Sequence, residues 1–416
     1  MSNEPIVTKL LSGYKYMWYA GDEWVLTAQI TKIYEHKRGV IDGEIEITHH
    51  DKDIPILSGI RINLTSQSAR TTIAKRLKAN PTVEEFDWPK MIDEICAATV
   101  KLQREGEPIK ELWTSEDIPP LEYLIDPVLM KDIPTVMFGD KGVAKSTLSL
   151  LFYVILMLPW YDNPLGLKAP SRSIKTIILD WEVPGYIAQW NAKKVQEGMG
   201  LPAFPLYHRR CNYPLADDIE GIRNMIVDLK AEVIIVDSLA RAAGGDLSKD
   251  TENANRFFAA LDNLQVTSLI IAQTSKNQDE KKKSIYGNAL YTYYARSIFE
   301  LCKSQEINED TMSIALFHRF SNLTRLQKPM GFKLSFNGVG TKIERQELSA
   351  QEFKGKLTGQ QVILAELKRG SKTVIELADS LEWEEKSVRP LLSKMKGRKL
   401  IVNVGPNEWG LISTNE

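Results

Sequence analysis

Apolar and polar positions change rhythm twice along the chain. From about Ser12 to Thr65 they alternate, as in Gly43-Glu44-Ile45-Glu46-Ile47, and a period of two predicts strands with one buried face. Tyr14, Tyr16, Trp18, Tyr19, Trp24 and Tyr34 crowd the first part. Aromatics on a sheet can stack bases, but filling a small core is the expected use. Thr71–Ala79 and Trp88–Arg104 then carry helical spacing, with Ser66–Arg70 as a cap. Pro108–Lys131, containing Pro119-Pro120, reads as a linker. The adjacent His49 and His50 would face opposite sides of a strand, so solvated side chains are expected and no joint metal site.

Beyond Lys131 short, wholly apolar runs alternate with longer helical ones. Strands are predicted at Pro134–Phe138, Thr176–Asp180, Val233–Asp237, Ser268–Ala272, Ser297–Leu301 and Met312–Phe317. Helices are predicted at Leu148–Leu158, Tyr186–Gly198, Ile219–Lys230 and Thr251–Asn263. This alternation defines an α/β unit with a mainly parallel sheet, whose ligand chemistry sits at the carboxyl ends of the strands. The tail changes rhythm again. Helices at Gly359–Arg369, Thr373–Ser380 and Glu384–Lys396 precede strands at Lys399–Val404 and Glu408–Ile412, flanking Gly405-Pro406-Asn407. Pro390 lies inside the third helix, where it is expected to kink it or shift its start.

The first apolar strand of the middle region runs into Gly139-Asp140-Lys141-Gly142-Val143-Ala144-Lys145-Ser146-Thr147. Strand, glycine loop, Lys-Ser and helix form the order of a phosphate-binding P-loop. Gly139 and Gly142 let the backbone amides turn inward, and the helix N-terminus adds to their field. Lys145 would reach the β- and γ-phosphates of ATP, and Ser146 would ligate Mg²⁺. Ala144 stands where the motif has glycine; at the helix entrance a methyl group is expected to fit. Three later strand ends carry matching chemistry. Asp237 ends an apolar strand and would hold Mg²⁺ opposite Ser146. Glu182, after Leu179-Asp180-Trp181, is placed as general base for the attacking water. Gln273 would sense the γ-phosphate.

With 416 residues, 43% hydrophobic and 26% charged, the chain has the composition of a soluble globular protein of two or three domains. The formal net charge of -1 means that nucleic-acid contacts must come from local patches. Cys96, Cys211 and Cys302 form no metal or redox spacing, which points to a reducing compartment. Leu148–Trp160 is too short to span a bilayer and the start lacks a signal pattern. A cytoplasmic protein without membrane contact is expected.

Gly139–Thr147, Leu179–Glu182, Ile234–Ser238 and Ile270–Lys276 together resemble the RecA-like AAA-type ATPases related to the plasmid RepA hexameric replicative helicase, often encoded by phages and other mobile elements. The likeness covers roughly Pro119–Gly340. It implies that Lys145 and Ser146 bind nucleotide and Mg²⁺, with Glu182 as catalytic glutamate, Asp237 as Walker B acid and Gln273 as sensor. It further implies an arginine finger at Arg296, in Tyr294-Ala295-Arg296-Ser297-Ile298. A second cation falls at Arg319, where His318 competes for the role, and an ion pair with Glu300 is the rival account of Arg296. A finger supplied in trans requires a ring, expected to be a hexamer of this chain.

In RecA-like rings the loops matching Leu239–Lys249 and Lys276–Gly287 face the channel and grip single-stranded nucleic acid. Arg241, Lys276, Lys281, Lys282 and Lys283 are the candidate phosphate contacts, with Tyr286 to stack on a base. The tail looks like a winged helix-turn-helix whose third helix would meet duplex DNA through Lys386, Arg389 and Lys394. The expected organisation is an α+β accessory domain over residues 1–112, a RecA-like P-loop core over 113–350 and a winged helix over 351–416. The expected function is a DNA-dependent ATPase, a ring-forming helicase or translocase. An ATP-switched DNA-binding initiator or regulator and a RecA-type recombinase are the rivals.

Overall fold

The computed structural model describes every residue except 1–3, 11–12, 21–22, 37–38, 51–53, 82, 84–85, 106–108, 110, 112, 116, 119, 246–249, 275–284, 286–288, 306–308, 339, 349–352, 354–355 and 413–416. Two compact units emerge, Met1–Pro120 with Glu220–Asn224, and Leu121–Ile219 with Met225–Glu416.

In the first unit the alternating stretch folds as an antiparallel sheet. Its strands β1 (Ile6–Leu10), β2 (Gly13–Ala20), β3 (Glu23–Glu35), β4 (Ile41–His49) and β5 (Ile54–Asn63) lie side by side in chain order. Helices α1 (Gln67–Lys78) and α2 (Trp88–Glu105) share a core with this sheet. Ser66 caps α1 by accepting from the Ala69 amide. Tyr16 and Trp18 are fully buried, and Tyr16 shares a 2.7 Å hydrogen bond with Thr99 on α2. These rings therefore belong to the core, each burial contributing about 2 kcal/mol. His49 departs from the solvated expectation: it ends β4 buried, near the Phe86 ring.

The second unit opens with a hairpin, β6 (Tyr123–Ile125) and β7 (Leu129–Met130), inside the stretch expected to be a linker. Leu124, Ile125, Leu129 and Met130 are buried in the main core, so this part of the chain is packed structure. There follow β8 (Pro134–Gly139), α3 (Lys145–Met157), β9 (Thr176–Asp180), α4 (Gly185–Met199), β10 (His208–Arg210), α5 (Ile219–Leu229) and β11 (Val233–Asp237). Next come α6 (Leu239–Ala242), α7 (Asp250–Leu264), β12 (Thr267–Gln273), α8 (Leu290–Tyr294), β13 (Ser297–Ser304), β14 (Thr311–Ser321), β15 (Met330–Asn337) and β16 (Gly340–Gln346). Among the described residues the sheet order is β10-β9-β11-β12-β8-β13-β14-β15-β16. Strands β10 through β13 run parallel and β14 to β16 extend the sheet antiparallel.

Helix α3 is apolar on all sides, and Leu148 through Met157 are all buried, as such a helix must be. On α4, Gly198 meets the first residues of β16: an added Cβ would stand 2.4 Å from the Thr341 backbone, and one on Gly340 would stand 2.4 Å from the Gly198 nitrogen. Backbone packs directly on backbone there.

The end of the chain builds its own small core from α9 (Gly359–Leu367), β17 (Lys372–Thr373), α10 (Val374–Leu381), α11 (Glu385–Gly397), β18 (Ile401–Gly405) and β19 (Glu408–Leu411). Its strands pair in the order β17-β19-β18. Capping boxes at Thr358/Gln361 and Thr373/Glu376 start α9 and α10. Helix α11 continues through Pro390. Among the described residues no helix is long and apolar enough to cross a membrane.

Candidate active site

The carboxyl ends of β8, β9, β11 and β12 converge because these strands are parallel neighbours in register. Gly139 stands opposite Gln273, and Asp180 opposite Asp237. Gly139 has no room for a side chain: a Cβ there would lie 2.4 Å from the Leu301 carbonyl oxygen on β13. The loop beyond it turns through Gly142 at φ 75° and Ala144 at φ 63°. Ala144 thus sits at the N-cap of α3 in the left-handed conformation. The expected easy fit of its methyl group is corrected: an L-residue there costs about 1–2 kcal/mol relative to right-handed backbone, which glycine avoids.

Lys145, the first residue of α3, folds back over the loop and donates to the Gly139 and Asp140 carbonyls at 2.8 and 2.7 Å. Burial lowers its pKa, while Asp237, Glu182 and Asp140 act in the opposite sense. Ser146 Oγ donates to Asp237 Oδ2 at 2.7 Å. Burial pushes the Asp237 carboxyl up to about 6; the Ser146 hydrogen bond opposes this, and the nearby Glu182 and Asp180 charges reinforce it. Such a carboxyl favours a cation beside it. Ser146 and Asp237 therefore fit Mg²⁺, an ion that takes few protein ligands and completes its shell with phosphate oxygens and water. Among the described residues no group of three or more His, Cys, Asp or Glu is placed to hold a metal ion.

Glu182 lies exposed at the mouth of the cleft, its Oε1 accepting from Ser238 Oγ at 2.5 Å. The peptide bond before Ser238 is cis. Asp180 is buried. It accepts from the Glu182 and Val183 amides at 2.6 and 2.8 Å and faces His208 Nε2 at 3.3 Å. Burial raises its pKa, but the His208 contact and those two amides prevail and hold it below the usual carboxylate range. Asp180 is thus the clamp of the turn that presents Glu182. An acid two residues before Glu182 was its visible signal; His208, on a strand of three residues, had none. Ser146, Ser149, Asp180, Glu182, His208 and Asp237 line one open cleft of about 100 Å³.

Gln273 ends β12 exposed, and the next residue, Thr274, donates to Asp140 of the loop at 2.5 Å. One cation escaped the sequence reading. Lys303 Nζ on β13 lies 3.7 Å from where a Gly142 Cβ would stand. Its position beside the loop follows from strand register, which no local motif encodes.

The two candidate arginines lie elsewhere. The Arg296 amide donates to the carbonyl of Pro134, at the start of β8. Gly139 lies five residues along the strand from Pro134, about 16 Å, so Arg296 is remote from the loop of its own chain. Its exposed side chain faces Asn322, whose amide, oriented by hydrogen bonding, accepts from Nη1 at 3.0 Å. Glu300 does not pair with it. Instead buried Glu300 accepts from Arg319 Nε at 2.7 Å and Lys356 Nζ at 3.0 Å. Arg319 also lies over the Phe317 ring, 4.4 Å from its centroid. Arg319, partly exposed, is therefore held by an ion pair with buried Glu300. His318 beside it is buried and stacked on Phe299, its Nδ1 accepts from the Gln327 amide, and burial lowers its pKa.

Of the candidate nucleic-acid contacts, Lys276, Lys281, Lys282 and Lys283, with Tyr286, lie outside the described residues. Arg241 lies on α6 and donates to the Trp181 carbonyl at 3.0 Å. Lys386 pairs with Glu384, and Arg389 with Glu385 at 2.6 Å, so acids accompany both at the start of α11. Lys394 is exposed in its last turn.

The strand order, with β12 between the loop strand and the Asp237 strand, and the loop itself define a RecA-like P-loop ATPase fold. The AAA domain model AAA_25 matches residues 101–279. A solved structure, the KaiC-like protein PH0186 from the hyperthermophilic archaeon Pyrococcus horikoshii OT3, aligns with 15% identity over 55% of this chain and 100% of its own, at a TM-score of 0.40. No curated protein matches the chain.

Proposed function

We propose that the chain is a Mg²⁺-dependent ATP hydrolase whose turnover is coupled to DNA, working as a ring-forming helicase or translocase of a phage, plasmid or other mobile element. The observation that carries the hydrolase reading is the 2.7 Å contact of Ser146 with Asp237, with Glu182 at the mouth of the same cleft. In this reading the amides of Gly139–Thr147 cradle the phosphates and Lys145 leaves its loop carbonyls for the phosphate oxygens. Ser146 and Asp237 hold the ion, and Glu182 takes the proton of the attacking water. Bound Mg²⁺ supplies charge neutralisation at the β- and γ-phosphates. Gln273 reads the γ-phosphate from the neighbouring strand.

Arg296, far from its own loop and exposed, supports a finger given to a neighbouring copy, and through it a closed ring such as a hexamer. Mixing Arg296→Ala with Lys145→Ala subunits tests this. Activity above either variant alone is expected, and its absence removes the main support for a trans finger. The DNA coupling draws on Arg241 and the lysine loop, and on a tail whose three helices and hairpin support a winged helix contacting duplex through Lys394. That tail also supports the second reading, an ATP-switched DNA-binding regulator.

The deciding experiment is steady-state hydrolysis without nucleic acid, with single-stranded DNA and with duplex. Several-fold stimulation by single strands is expected of the motor. Stimulation by duplex alone, lost on deleting the tail after Lys354, favours the regulator. No hydrolysis under any condition removes the enzyme reading.

A further inference from the structure

A second cleft, of about 280 Å³, opens beside the Trp181-Glu182 turn. Trp181, Arg210, Asn212, Arg241 and Gly244-Gly245 line it, and no acid is among its described lining residues. Both guanidinium groups are weakly committed for side chains of their strength. Arg241 gives Nη1 to the Trp181 carbonyl at 3.0 Å. Arg210 Nη1 stands 3.6 Å from Asp180 Oδ1 and 3.5 Å from the Val183 carbonyl, both long contacts. A guanidinium carries five N–H donors in a planar fork suited to oxyanions. Two arginines lining one cleft with an amide side chain and a glycine-rich wall fit a tetrahedral anion. We propose that this cleft binds a phosphate group, supplied by a nucleic-acid backbone or by a free phosphate, and that occupancy is felt at Glu182.

The link to Glu182 runs through α6. Ser238, immediately before that helix, donates to the Glu182 carboxylate. Arg241, on the helix itself, holds the carbonyl of Trp181, the residue before Glu182. The Trp181 amide in turn donates to the Asp237 carbonyl at 2.7 Å. One short helix therefore grips the turn at both its backbone and its carboxylate. A phosphate in the cleft competes with the Trp181 carbonyl for Arg241 and releases the backbone grip. This coupling rests on the reading of Glu182 as the base; the binding itself does not.

The test uses the full chain with two probes. A fluorescein-labelled single-stranded oligonucleotide is followed by anisotropy, and inorganic pyrophosphate by calorimetry, both in a Lys145→Ala background that disables the P-loop. Arg210→Gln and Arg241→Gln are compared with Arg172→Gln, a surface arginine paired with Glu232 and outside the cleft. Each cleft variant is expected to weaken binding about tenfold, with the salt slope for the oligonucleotide smaller by about one. Arg172→Gln is expected to leave it unchanged. Loss on the oligonucleotide identifies a backbone phosphate as occupant; loss on pyrophosphate alone identifies a free one. Unchanged affinity for both probes overturns the site, and so does binding of neither. Arg→Lys variants at both positions serve if a Gln variant fails to fold. ATP turnover of the otherwise wild-type chain separates the two readings: its absence sinks the hydrolase and leaves the cleft result standing.

Discussion

Asp237 and Glu300 are both carboxylates set into the same sheet, and they are treated in opposite ways. Glu300 is surrounded by cations. Burial pushes its pKa up, but Arg319 and Lys356 prevail and hold it below the usual range. Asp237 has a hydroxyl as its hydrogen-bond partner and two further acids nearby; Lys145 opposes them, but burial prevails and its carboxyl rises to about 6. The first is completed by the protein and serves the fold. The second is left short of positive charge, as expected where the missing charge arrives with a ligand.

Substitution at the proposed reaction centre has the largest expected effect. Glu182→Gln and Lys145→Ala are each expected to lower ATP turnover by about 10³-fold or more while leaving the melting temperature nearly unchanged. Phosphate release and thermal melting read this together; a large loss of stability would assign these residues to the fold instead. At the completed site the reverse is expected. Glu300→Gln should cost about 3 kcal/mol of stability by stranding Arg319 and Lys356, which denaturant titration measures.

pH sharpens the contrast. A carboxyl whose folded pKa is raised binds more protons folded than unfolded, so Asp237 removes stability as pH climbs from its unfolded value, near 4, through about 6. The contribution is about 3 kcal/mol. Glu300, held low, adds stability over the acid range as pH rises through its unfolded value. Denaturation from pH 4 to 7 should therefore show a fall that Asp237→Asn abolishes, and Mg²⁺ with nucleotide should reverse it in the wild type alone. A fall that survives Asp237→Asn assigns the titration to another group. The smallest effect is Ala144→Gly, which relieves the left-handed backbone and should raise stability by about half a kcal/mol after the added chain entropy of glycine.

The parallel core was legible because each of its strands is short, wholly apolar and closed by a polar residue, and because the P-loop is a contiguous motif. Val233–Asp237 and Thr176–Asp180 could be bounded to the residue for that reason. The hairpin at Tyr123–Met130 was hidden among prolines and acids, since strands of two or three residues carry no period. The partners of Asp180, Glu300 and Lys303 were also hidden, because register across the sheet sets them. For Arg319 the position on a strand was inferable, but its contact with Glu300 was not.

The glycine contact between α4 and β16 has a consequence for how copies of this chain can meet. The last strand of a sheet offers a row of unpaired amides and carbonyls that another chain can zip onto. Helix α4 lies against the start of β16 at backbone distance, so a visiting strand has no access at Gly340 and Thr341. Aggregation by strand addition is blocked at that point. Any assembly made there must be built from side chains, whose shape and charge can choose a partner.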